Sequence, residues 1–191
     1  MAIGRPDGPV VTYHAVNTCI QNAPTNTDDH WAVISTDCSA AYPSILRASV
    51  LTAFAATPEL LHMLPLANAQ LSVETLMQMF EEGIKDGLGQ GKPTSTLYYV
   101  MGTDKQLRWA VAAMKNLSGL CVANADDTFF VGPLRATLKI VAKLKQRMLD
   151  ECGLSWNTQK FEIYCTDMNY ARATLASRDP RICVHCVQKY V

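Results

Sequence analysis

Two adjacent carboxylates, Asp126 and Asp127, stand between apolar runs at 120–123 and 129–131 in the stretch LCVANADDTFFVG. Apolar runs of this length read as buried strands, and Asn-Ala-Asp-Asp reads as the turn of a β-hairpin. Like charges side by side in a tight turn repel each other, more so where water is partly excluded. A third carboxylate, Asp37, closes the apolar stretch WAVISTD at 31–37, itself a buried strand. If that strand lies beside the hairpin, three carboxylates meet at one end of a sheet. Hard divalent ions such as Mg²⁺ relieve that repulsion, and two of them can steady both the attacking and the leaving oxygen of a phosphoryl transfer. Taken singly, Asp-Asp in a turn is a solvated turn, and Asp37 before a helix is an N-cap. The metal reading rests on their occurring together, in order.

The elements that must position them follow from periodicity and punctuation. Apolar residues at helical spacing mark a helix at 13–23, which PTNTDD at 24–29 breaks. From Pro43 to Gln70 the chain is helical in character, divided at Pro58 and Pro65. EEGIKDGLGQGKP at 81–93 is a glycine-rich loop, and 94–115 reads as a helix weakened by Gly102. Pro133 opens a helix with an apolar stripe of Leu134, Leu138, Val141, Leu144 and Met148. Arg135, Lys139, Lys143 and Arg147 form a basic stripe beside it, read as a solvated face, with phosphate contact as the alternative. Gly153 ends that helix, and KFEIYCT at 160–166 reads as a further strand. Strands and helices interleave without strict βαβ regularity. The expected fold is therefore α+β, a mainly antiparallel sheet with helices packed on one face.

Composition excludes several classes. With 191 residues, 49% hydrophobic and 18% charged, the chain can bury a core. Its N-terminus lacks the pattern of a secretion signal, and no apolar run reaches membrane-spanning length. Seven scattered cysteines argue for reduced thiols inside the cell. Cys183 and Cys186 make only half of a zinc site and read as metal-free. The net charge is zero, but residues 1–91 carry three basic against nine acidic side chains, and 92–191 carry fourteen against eight. A basic half suits a polyanion, whereas the neutral whole does not. GQGKPT mimics a phosphate-binding P-loop, yet Asp86 stands where its first glycine belongs and Pro93 where its Ser/Thr belongs.

DCSAAYPSILR (37–47), GLGQGKP (87–93), ANADDTFFVG (123–132) and GLSWNTQK (153–160) resemble four successive palm motifs of reverse transcriptases, of the non-LTR, LINE-like retrotransposon kind. GRPDGPVVTYHAV (4–16) resembles the segment that precedes the first catalytic aspartate in that family. The resemblance implies an intracellular, nuclear RNA-directed DNA polymerase palm that uses two Mg²⁺ ions, or Mn²⁺, with RNA template, DNA primer and dNTP as ligands. Asp37, Asp126 and Asp127 match the metal-binding aspartates, and Cys38 the residue whose carbonyl also reaches a metal. Tyr42 matches the aromatic beneath the incoming sugar, where a ring excludes a 2′-hydroxyl; its other reading is an ordinary core aromatic. Gly87, Gln90, Gly91 and Pro93 match the glycine-rich motif at template and nucleotide. Lys160 matches the family's lysine that is a candidate general acid for departing pyrophosphate; its other reading is a solvated lysine at the start of a strand.

Asn124, Pro43 and Lys92 depart from the family, which has an aromatic, an asparagine and an acidic residue there. Residues 1–166 are expected to form the palm with a remnant of fingers, and 167–191 a C-terminal tail. No basic fingers segment or thumb is recognisable, so those lobes are expected from a longer polypeptide or another chain. The expectation is a truncated retrotransposon copy, or alternatively a domesticated, inactive palm serving as a structural or binding module.

Overall fold

The computed structural model describes residues 8–25, 27–72, 87–89, 94–124 and 126–175, and the backbone of 183–186. They fall into two compact units: 1–38, 108–145 and 156–191 in the first, 39–107 and 146–155 in the second. Among the described residues, no single helix is long and apolar enough to cross a membrane.

The first unit is built on strands β1 (Trp31–Asp37), β2 (Leu120–Asn124), β3 (Asp127–Pro133), β4 (Glu162–Cys165) and β5 (Cys183–Cys186), ordered β2-β3-β1-β4-β5. The first four pair antiparallel, and β5 joins β4 in parallel. This is the expected α+β architecture. Residues beyond Cys165 contribute to it through β5 and a helix at Met168–Leu175.

Register assigns the two faces of the sheet, because side chains alternate along each strand. Ala32, Ile34, Phe130 and Ile163 share one face and are fully buried. Helices cover it: a Cβ on Gly132 would lie 3.0 Å from the Met114 methyl and 2.8 Å from Thr137 Oγ1. Trp31, Val33 and Val131 share the other face, packed by Ile20 and Ala23 with Val16 and Cys19. Ile20, Val16 and Cys19 belong to helix α1 (Gly8–Gln21), which begins earlier than the sequence suggests. Pro9 as its second residue costs nothing, since the first amides of a helix have no intrahelical partner.

The second unit contains α2 (Ala41–Ser44), α3 (Arg47–Ala55), a 3₁₀ turn (Pro58–Met63) and α4 (Leu64–Ser72). Pro58 opens the 3₁₀ turn, as expected of a divider. Pro65 stands at the next division, as the second residue of α4 just after the 3₁₀ turn ends, where no amide donor is needed. Helices α5 (Ser95–Lys115) and α6 (Leu134–Cys152) each contribute residues to both units. All five members of the α6 apolar stripe are buried. Asp29 caps α6 from outside, accepting from the Arg135 amide at 2.9 Å and the Ala136 amide at 3.2 Å. At its C-terminus Gly153, with φ of 71°, donates to Leu149 O, and Leu154 donates to Met148 O. That paired geometry needs a left-handed residue, which glycine supplies without strain.

Candidate active site

Asp37, Asp126, Asp127 and Lys160 all belong to the first unit. Asp37 ends β1 and Asp127 begins β3, and the two are direct cross-strand partners. Thr36, one residue back, donates its hydroxyl to Thr128 O at 3.1 Å and locks the strand ends together. Directly opposed like charges destabilise a sheet, so this register has a cost. Asp126 occupies the hairpin turn beside them and is half-buried, while Asp127 is exposed.

Asp37 is buried, with 7% of its surface exposed. Its Oδ2 lies 2.7 Å from Lys160 Nζ. The hydrogen bond to Asp37 and that carboxylate's charge hold the Lys160 ammonium above the ordinary lysine range, with Asp127 and Asp126 adding to the effect. Asp127 is raised too, which in an acid disfavours the charged form. Partial desolvation, then the charges of Asp126 and Asp37, push its carboxyl up, and Lys160 opposes them.

Asp37 is not a helix N-cap. That position before α2 is taken by Ala40, in a left-handed conformation with no side-chain cap. Asn157, which sequence reasoning passes over, fixes the lysine's turn instead. Its amide donates to Asp37 O at 2.9 Å, and its Oδ1 accepts from the Gln159 amide at 3.1 Å. A polar residue two positions before a turn amide is the only local signal for it.

Cys38 is buried in the first unit and bridges Trp156 through its backbone. Tyr42 lies in the second unit, half-buried and stacked on Tyr99 with ring centroids 5.0 Å apart. Gln90, Gly91, Lys92 and Pro93 lie outside the described residues, as do the side chains of Cys183 and Cys186. Gly87 is described. Its φ is +94°, and a Cβ there would lie 1.9 Å from Pro43 O. Asn124 pairs with Asp127 and borders a cavity of about 180 Å³ between Thr12, Tyr13 and Val16 of α1 and Phe129 of the hairpin.

Among the described residues, no three His, Cys, Asp or Glu side chains converge on one ion position. The donor chemistry nevertheless fits Mg²⁺, which takes one or two carboxylates and completes its shell with water and phosphate. A cationic group already rests on Asp37, so the site accepts positive charge.

Sheet order, strand register and helix cover make an α+β, palm-like fold. Among the solved structures that share it is apo telomerase from Candida tropicalis, truncated from its C-terminal domain. The TM-score is 0.53 at 17% identity, over 80% of this chain and 33% of that one. At that identity the likeness is one of fold, and the chain spans about a third of that structure's length. No family profile and no curated protein matches the chain.

Proposed function

We propose that this chain is the palm of an RNA-directed DNA polymerase of the non-LTR retrotransposon kind. The observation that carries the reading is the opposition of Asp37 and Asp127 across β1 and β3, with Asp126 adjoining and Lys160 on Asp37. In the reaction, the primer 3′-hydroxyl gives its proton to water and its oxygen bonds to the α-phosphorus of a dNTP. The bond from that phosphorus to the bridging oxygen of the β-phosphate breaks, and pyrophosphate leaves. Asp37, Asp126 and Asp127 would hold Mg²⁺ or Mn²⁺, joined by the Cys38 carbonyl. Such ions, when bound, supply the charge that steadies the attacking and departing oxygens. Lys160 Nζ hands a proton to the pyrophosphate, a role that requires it to leave Asp37. Roles for Tyr42 in selecting deoxyribose, and for Gln90 and Gly91 in binding nucleotide and RNA template, rest on the motif resemblance alone.

A second reading, an inactive binding module of the same ancestry, is favoured by the lack of a converged three-ligand group among the described residues. Primer extension on an RNA template with dNTPs and Mg²⁺ or Mn²⁺, beside Asp126→Ala, separates the two. Extension that the substitution abolishes is expected of a polymerase. Wild type that never extends leaves the binding module.

A further inference from the structure

We propose that Lys160 is a built-in competitor for the cation at Asp37, so that divalent-ion binding and release of the Lys160 ammonium are a single event. The proposal rests on reading Asp37 as a cation-holding carboxylate. Asp37 is nearly out of contact with water, at 7% exposed. A carboxylate so placed is costly without a positive partner. Lys160 Nζ, at 2.7 Å from Oδ2, is that partner.

The lysine is held in an unequal way. Its backbone is fixed: the Lys160 amide donates to Asn157 O at 3.2 Å, and the Asn157 amide donates to Asp37 O at 2.9 Å. Its side chain is 66% exposed, and its ion pair is with the Asp37 carboxylate. A fixed turn with a loose side chain delivers one positive charge to Asp37 whenever no other cation is present, and gives it up at little cost in packing.

Charge and contact distance make the two cations exclusive at this oxygen. Asp37, Asp126 and Asp127 bring three negative charges against the lysine's one, so a divalent ion is attracted even while the pair is closed. A hard ion sits about 2.0–2.1 Å from a carboxylate oxygen. An ammonium 2.7 Å from that same oxygen would then face it at short range, and like charges at such range repel strongly where water is scarce. Loading the ion drives Nζ out. The freed ammonium becomes available to an anionic ligand, whereas while paired it is not. Lys160 therefore serves first as a placeholder that keeps the empty carboxylate cluster intact, and afterwards as a mobile cation.

The test uses the full chain and Mn²⁺ alone, with binding followed by electron paramagnetic resonance in wild type, Lys160→Met, Lys160→Arg and Asp37→Asn. Lys160 is exposed, so neither substitution there touches the core. Lys160→Met is expected to bind Mn²⁺ about two- to fivefold more tightly than wild type, the scale of an exposed ion pair. Lys160→Arg stays near wild type, and Asp37→Asn binds least. In parallel, acetylation of Lys160 by acetic anhydride, read by peptide mass spectrometry, speeds up when Mn²⁺ is added to wild type. In Asp37→Asn it is fast from the start. Equal Mn²⁺ affinity in wild type and Lys160→Met, or acetylation indifferent to Mn²⁺, overturns the competition and leaves the cation site standing. Mn²⁺ binding that does not depend on Asp37 overturns both.

Discussion

Asp37 and Asp127 are direct partners across the antiparallel β1–β3 ladder, two carboxylates where a sheet ordinarily pairs apolar or opposite charges. Their environments differ. Asp37 is buried and paired with Lys160, while Asp127 is exposed and carries the repulsion. A site that keeps such a register stores a standing preference for positive charge.

That preference predicts a pH dependence with a definite sign. Because the Asp127 carboxyl is pushed up in the folded chain, folding binds its proton more tightly than the unfolded chain does. Its contribution to stability is full below the unfolded value and is lost as pH rises through the folded one. Asp127→Asn should therefore raise the melting temperature at pH 7 without divalent ions, modestly because Asp127 is exposed and its charge screened. The gain should vanish near pH 3 and shrink in high salt. Melting curves at the two pH values check it, and a loss at pH 7 would contradict it.

Gly87 sets a second expectation. Its amide donates to Ile45 O at 2.9 Å, its carbonyl accepts from Arg47 Nε at 3.0 Å, and its φ is +94°. Gly87→Ala combines a left-handed backbone with a Cβ driven onto Pro43 O. Urea unfolding should report a loss of at least about 2 kcal/mol.

The cysteines supply a third. Among the described residues Cys19, Cys38, Cys121, Cys152 and Cys165 are thiols rather than disulfides. Burial pushes the Cys121 thiol up to about 12, and Cys19 is only half-buried. The thiolate is the reactive form. Iodoacetamide at pH 8 should label Cys19 well before Cys121 in native protein, and the difference should disappear in urea. Mass spectrometry of the two peptides measures it.

Much of this was legible in the sequence where local signals agree. WAVISTD is a continuous apolar run ending in a charge, and it forms β1 over the same residues. Pro133 and Gly153 flank α6: Pro133 closes β3 just before the helix begins, and Gly153 supplies a left-handed stop. The fold class followed from that alternation. Less legible were features set by distant partners. Gly8–Pro9–Val10–Val11 lacks a helix pattern of its own, yet it belongs to α1, whose later residues pack on the sheet. The Asp37–Asp127 register, the Lys160 pair and the role of Asn157 arise between segments 90 or more residues apart. No local window contains them. The order of the motifs pointed to the carboxylates, but only the ladder shows which two face each other.

The most direct test of the central claim is single-nucleotide extension of a DNA primer on an RNA template, with Mg²⁺ or Mn²⁺, by wild type beside Asp37→Asn and Asp127→Asn. Wild type should add a dNTP, and addition should stop when the metal is chelated. Asp37→Asn should reduce it by at least about a hundredfold, the scale of losing a group that steadies transition-state charge, with Asp127→Asn also impaired. Extension unchanged in both variants, or unaffected by chelation, would contradict it.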